Sequence, residues 1–176
     1  MTTVQQAIDQ STHWRITQFL MHESLLLDAG KIGEWVDLLT DDFRYEIPIP
    51  ITPDSPSRNA WADGAFIVEE SRDSLVNLWA KRHEQQYVEF AWGENPRQRT
   101  RRFIANIVVC EDDSPTSFVV RSNVLLSFAR QSDPVILVPA GRIDHLRETA
   151  DGFRLARRVV HLDQTIVNTT HLRLIF

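Results

Sequence analysis

Residues 101–164 read RRFIANIVVCEDDSPTSFVVRSNVLLSFARQSDPVILVPAGRIDHLRETADGFRLARRVVHLDQ, and the punctuation of this stretch decides the fold. Four extended runs rich in Val, Ile, Leu and Phe cover Arg101–Glu111, Ser117–Arg130, Pro134–Glu148 and Phe153–Gln164. They are separated by Asp112-Asp113-Ser114-Pro115, Gln131-Ser132-Asp133 and Ala150-Asp151-Gly152, turn residues at hairpin length. Consecutive long strands with short turns predict an antiparallel meander, long enough to curl around whatever packs on it.

Upstream of this sheet the periodicity changes. Ile16, Phe19, Leu20, Leu26 and Leu27 recur at helical spacing and Gly30 supplies a stop, so a long amphipathic helix is predicted, opened by Thr3 and Gln6 at capping-box spacing. Ile32, Trp35, Val36 and Leu39 predict a second helix over 31–39, ended by Thr40-Asp41-Asp42. Tyr45, Ile47, Ile49 and Ile51 alternate as a strand, whose Pro48 and Pro50 place it at an edge or break it early. Thr52 to Asp63 reads as a long loop, Ser71 to His83 as a helix burying Leu75, Leu78 and Trp79, and Trp92 to Pro96 as the end of a helical half of about 1–96. Helices first and strands after define an α+β domain spanning 1–176, its sheet half about 97–176.

Composition narrows the chemistry. The net charge of −5 opposes general nucleic-acid binding, which needs a basic surface. The N-terminus lacks a basic stretch before an apolar one, and no apolar run approaches the ~20 residues of a membrane span, so a cytoplasmic protein is expected. One cysteine, Cys110, excludes an internal disulfide or a Cys-rich cluster, and its apolar strand makes it a packing residue. There is no GxSxG elbow, phosphate-cradling glycine loop or HExxH pair. His13 and His22 fall on opposite faces of one helix. Asp144, His145 and His161 form a conceivable metal set, but alternation turns Asp144 and His145 to opposite faces of the sheet.

Glu23 is the conspicuous polar residue, because it shares a helical face with Ile16, Phe19, Leu20 and Leu27. A carboxylate there is paired or functional. In the first case it meets an arginine of the sheet, Arg102 or Arg157. In the second it is a general base inside a pocket, assisted by Tyr45, Asp42 or His145. Arginines cluster at Arg97, Arg99, Arg101 and Arg102 and again at Arg154, Arg157 and Arg158, consistent with a solvated face or a subunit interface. Among five tryptophans, Trp61 in the long loop is placed to anchor an interface.

Several ordered segments resemble one family. FLMHESLLLDAGKIGEWVDLL at 19–39, DDFRYEIPI at 41–49, AWGENP at 91–96 followed by RTRRFIANI at 99–107, RSNVLL at 121–126 and LARRVVHLDQ at 155–164 are together similar to the β (small) subunit of bacterial aromatic-ring-hydroxylating dioxygenases. Gly93 departs from the alanine or small residue usual there, and the loop from Thr52 to Glu70 matches no part of the pattern. The resemblance implies a cystatin-like or NTF2-like cone, with N-terminal helices packed on a strongly curved, mainly antiparallel sheet. It implies a β trimer within an α3β3 hexamer of large and small subunits. Each large subunit would carry a Rieske 2Fe-2S cluster and a mononuclear Fe(II), fed by a ferredoxin or reductase, and this chain would hold no cofactor. Trp92, Arg99, Arg101, Arg102, Arg157 and Asp163 are then structural or interface residues. The alternative is a free-standing NTF2-like dehydratase or isomerase built on Glu23, Asp42, Tyr45 and His145, and a small-molecule binding module ranks behind it.

Overall fold

The computed structural model describes residues 8–55, 59–81, 98–112, 114–167 and 175–176. Helix α1 spans Gln10–Ala29. Asp9 caps it, its carboxylate accepting from the Ser11 and Thr12 amides at 2.9 and 3.0 Å and so satisfying donors the first turn leaves open. The Thr3–Gln6 box lies outside the described residues, and because Asp9 is extended the helix starts at Gln10. Gly30, at φ 66°, closes it in the left-handed conformation that glycine adopts without strain, and the Lys31 amide reaches Leu26 O at 2.9 Å.

Helix α2 is shorter than the periodicity predicts, Ile32–Val36. Leu39 is buried as expected, but as the first residue of strand β1 (Leu39–Pro50), so Thr40, Asp41 and Asp42 continue a strand instead of ending a helix. Pairing with the last strand outweighs helical propensity here: the Leu155 amide donates to Leu38 O at 2.9 Å, and Leu39 sits opposite Leu155.

A further strand, β2 (Trp61–Ser71), begins inside the stretch whose turn residues predict a long loop. Its run Ala65-Phe66-Ile67-Val68 has strand propensity, but Gly64, in the left-handed region at φ 67°, and the irregular register against β1 hide any alternation. β2 also corrects the expected edge position of β1. Over Arg44–Glu46, β1 pairs with β2 on one side and with β6 on the other. Pro48 and Pro50 lie beyond the last β6 pairing, at register shifts against β2, where a missing amide breaks no regular ladder.

Ser71 then caps α3 (Arg72–Ser74) through a reciprocal bond with Ser74. The chain continues as a π-helical turn, Leu75–Ala80. The wider turn buries Leu75 and Trp79 and leaves Leu78 54% exposed, so Leu78 is not part of the predicted buried stripe.

The meander is as expected: β3 (Arg99–Glu111), β4 (Ser117–Ala129), β5 (Ile136–Thr149) and β6 (Gly152–Leu162). The six-stranded sheet runs β2-β1-β6-β5-β4-β3, antiparallel except between β1 and β6, and it is open, with β2 and β3 at its edges. Two of its strands therefore fall in the half predicted to be helical. Alternation sends Val120, Val124, Leu126, Val138, Leu146, Val160 and Leu162 to the inner face. There they pack against Ile16, Leu20 and Leu27 of α1 and Trp35 of α2. No described helix is long and apolar enough to cross a membrane.

Candidate functional site

The inner face carries four charged residues that an apolar core should exclude: Glu23, Arg142, Asp144 and Arg158, each no more than 2% exposed. α1 delivers Glu23 one turn beyond Leu20. β5 delivers Arg142 and Asp144 on the Val138–Leu146 parity, and β6 places Arg158 directly opposite Asp144.

Arg158 is the hub. Its Nε donates to Asp144 Oδ1 at 2.7 Å and its Nη2 to Asp144 Oδ2 at 3.0 Å. Nη2 also donates to Glu23 Oε2 at 2.8 Å, Nη1 donates to Glu23 Oε1, and Nη1 reaches Phe176 O at 2.7 Å. Trp35 Nε1 adds a bond to Glu23 Oε1 at 2.9 Å, and the Phe176 amide donates to the Tyr45 hydroxyl at 3.1 Å. Beside this lies a second buried pair: Arg102 Nη1 donates to Asp28 Oδ1, the Arg102 amide to Asp28 Oδ2 at 3.0 Å, and Arg102 Nε to Ile175 O at 2.9 Å.

Arg142 is different. Its Nε lies 3.0 Å from Asp144 Oδ2 and its Nη1 3.8 Å from Glu23 Oε2, but the approach is off the donor directions, and none of its three nitrogens makes a hydrogen bond. It acts on the carboxylates as a charge.

This environment fixes the protonation states. Burial pushes the Glu23 carboxyl up, but the charges of Arg158 and Arg142 and the bonds from Arg158 and Trp35 outweigh it and hold the group at about 2. Burial likewise raises the Tyr45 hydroxyl to about 12, with the Phe176 amide and nearby arginines opposing. Desolvation disfavours charge on Arg158, yet Asp144 and Glu23 more than compensate and raise it. Glu23 is thus a fully ionised, very weak base whose oxygens are already engaged.

The residues of the enzyme reading do not converge. Glu23 and Tyr45 lie on the inner face, whereas Asp42 and His145 lie on the outer one, beside a groove of about 410 Å³ that Arg44, Arg147 and Arg157 also line. There Asp42 takes a two-pronged contact from Arg147 at 2.7 and 2.8 Å, which lowers its carboxyl to about 2, and His145 Nδ1 is 3.3 Å from Asp112 Oδ2.

Neither arginine proposed for Glu23 reaches it. Arg102 serves Asp28, and Arg157 turns outward to Glu46 Oε2 at 2.7 Å. The reason is a bulge in β6. Leu155 pairs with Leu146 and Arg157 with His145, so Ala156 is the extra residue and the parity set by Phe153 and Leu155 passes to Arg158. Arg142 and Asp144 are also absent from the predicted partners of Glu23. Their signal was available, since both occupy inward parity positions in an otherwise apolar strand. Arg99, Arg101 and Asp163 are exposed on the outside, and Trp92 lies outside the described residues.

The ligand set of a Rieske cluster does not fit this sequence, and the described residues offer none for a mononuclear iron. A Rieske cluster requires two cysteines and two histidines, and Cys110 is single and buried. Among the described residues, no group of three His, Cys, Asp or Glu could hold a metal ion; Asp144 is inside, and His145 and His161 are outside.

Residues 22–169 match the model of a family described as ring hydroxylating beta subunit. Among solved structures, naphthalene 1,2-dioxygenase with indole bound in its active site is similar at 23% identity and a TM-score of 0.81, over 97% of this chain and 88% of that one. The β subunit of benzoate 1,2-dioxygenase from Burkholderia mallei is 19% identical at a TM-score of 0.66, over 97% of this chain and 99% of that one. ActVI-ORFA from Streptomyces coelicolor is 16% identical at 0.61, over 88% and 98%. At these identities the structures support the fold, an open NTF2-like cone, while the family model speaks to kinship.

Proposed function

The chain belongs to the ring hydroxylating β subunit family, and on that premise we propose that it is the non-catalytic small subunit of an aromatic-ring dioxygenase acting in the degradation of aromatic compounds. Its role is to build and steady the oxygenase. The reaction belongs to a large α subunit carrying the Rieske 2Fe-2S cluster and the mononuclear Fe(II), supplied with electrons by a ferredoxin or reductase. The assembly is an α3β3 hexamer in the cytoplasm. Arg99, Arg101, Arg102, Arg157 and Asp163, with Trp92, serve structure and contacts between subunits.

The observation that carries this reading is the occupancy of the cone. Where a pocket enzyme needs convergent acid and base groups facing a substrate, Glu23 and Asp144 face Arg158, and Trp35 and Phe176 close the remaining contacts. Such a filled interior supports a scaffold. The NTF2-like dehydratase or isomerase reading is not favoured, because its four residues stand on two faces of the sheet.

The test is co-expression with the large subunit, followed by light scattering and iron analysis. The expected result is an iron-containing complex of hexamer mass that oxidises an aromatic ring, with this chain iron-free when purified alone. An isolated chain that turns over a small hydroxy or keto compound without iron refutes it.

A further inference from the structure

Beside the hub at Arg158, the inner face carries a second polar spot, and the sheet register places it. Ser122 of β4 stands directly opposite Arg142 of β5, which in turn faces Val160 of β6. The row on one side is Val120, Asp144 and Arg158, and on the other Val124, Ala140 and Leu162, so the pair lies between the ion cluster and an apolar row. Ser122 is 3% and Arg142 2% exposed. Among the described residues, neither the Ser122 hydroxyl nor any of the three Arg142 nitrogens has a hydrogen-bond partner. Buried polar atoms in native proteins find partners almost without exception, in protein or in ordered water, because an unmade bond forfeits the solvation of the group. Four such atoms on two facing residues therefore mark a site.

The other neighbour of Ser122 is irregular as well. On β3, Ala105 pairs with Asn123 and Val108 with Arg121, so Asn106 and Ile107 together stand against Ser122, with Asn106 in the left-handed region at φ 53°. Such a bulge breaks the ladder and bends its strand, here beside the row whose polar side chains lack partners. The group that fits must accept from a guanidinium, which has donors only, and must also bond a hydroxyl. A small anion or a water does this, and charge decides between them. Asp144 Oδ2 lies 3.0 Å from Arg142 Nε and Glu23 Oε2 lies 3.8 Å from Nη1, so an anion would stand beside two carboxylates. The described buried charges also balance already, Glu23, Asp28 and Asp144 against Arg102, Arg142 and Arg158. Water adds no charge, and a buried water makes ~3 hydrogen bonds to groups otherwise unsatisfied. The separation of Nη1 from Glu23 Oε2 is too long for a direct bond and suits a shared water.

We propose that Ser122 and Arg142 hold a structural water in the core, bonded to the Ser122 hydroxyl and the Arg142 guanidinium and shared with Glu23 Oε2. Arg142 is thereby solvated and keeps its charge, while Arg158 takes the carboxylates directly. The site concerns the interior of this chain and stands independently of the small-subunit reading.

The test is a crystal structure of the full chain at atomic resolution, with a second crystal soaked in bromide. The expected result is a water within ~3.2 Å of both Ser122 Oγ and an Arg142 nitrogen, with no bromide signal at that point. Bromide there overturns the proposal in favour of an anion site. Arg142 nitrogens bonded to the carboxylates or to any other protein group, with no water between, overturn the site altogether. In solution, magnetic relaxation dispersion of the water oxygen counts long-lived internal waters. Ser122→Val fills the position with methyl groups and offers no hydroxyl, so it should lose one such water per chain while keeping the wild-type circular dichroism. Arg142→Met should lose the same one, and the double variant should lose no more than either alone. Losses that add in the double variant, or a count that neither substitution changes, overturn a water shared by the two residues.

Discussion

Replacing Glu23 by Gln keeps the volume of the side chain and removes its charge, leaving two buried arginines facing Asp144 alone. The size of the loss follows from the site. The carboxyl is held at about 2 in the folded protein against an ordinary value of 4.5, an interval corresponding to about 3 kcal/mol. Breaking a buried, hydrogen-bonded ion pair by removing one partner costs about 3 to 5 kcal/mol, which agrees. Glu23→Gln should therefore lower unfolding free energy by about 3 to 5 kcal/mol at pH 7, and Tm by roughly 6 to 20 °C for a chain of this size. The pH dependence is the sharper check. A group whose folded value is depressed contributes fully above its unfolded value, here 4.5, and loses that contribution as pH falls toward about 2. The gap between wild type and variant should thus be constant from pH 7 to pH 5 and shrink to about 1 kcal/mol by pH 3. Urea unfolding followed by tryptophan fluorescence, at one protein concentration, measures it. A gap below about 1 kcal/mol at pH 7, or one that does not change down to pH 3, would refute the claim that Arg158 and Arg142 hold Glu23 ionised.

The two buried arginines should behave differently. Arg158→Met strips hydrogen bonds from both Glu23 and Asp144 and should cost about 3 to 5 kcal/mol, whereas Arg142→Met removes a side chain that makes none and should cost less, an order that thermal melts of the two variants would reveal. Asp42→Asn breaks only an exposed pair with Arg147, so its effect should stay within about 1 kcal/mol by the same melts and should fade in high salt. Gly152→Ala forces a side chain into φ 119° at the β5–β6 turn and should cost about 1 to 3 kcal/mol, although open space surrounds the position, as urea unfolding at pH 7 would show.

How much of this was legible depended on whether the signal was local. The meander was readable because the turns at 112–115, 131–133 and 150–152 interrupt clean apolar runs. α1 was readable from its apolar spacing and Gly30, and Glu23 stood out against that face. What failed was governed by distant partners. Leu39 has a helix-compatible position, and only Leu155, in the last strand, makes it a strand residue. β2 was hidden by Gly64 and by irregular register against β1. The partner of Glu23 was missed by one residue, since the bulge at Ala156 moves the inward position from Arg157 to Arg158, and a single extra residue leaves no mark in composition or periodicity.

The lone parallel pairing has a consequence in time. β1 is hydrogen-bonded to β6, joining Glu46 to Arg157 across 111 positions, and Glu23 meets Arg158 across 135. During synthesis α1 and β1 emerge long before the strand that completes them, so a carboxylate destined for the core waits in water and the flank of β1 waits unpaired. Contacts of such sequence separation form late and slowly, because the chain between them must first be brought to order. The meander of β3 to β6 is the local part of the fold and should form first, with closure of β1 onto β6 as the late step. Until that closure, β1 and β2 expose a flank able to pair with another chain, which makes prompt assembly a kinetic requirement as well as a structural one.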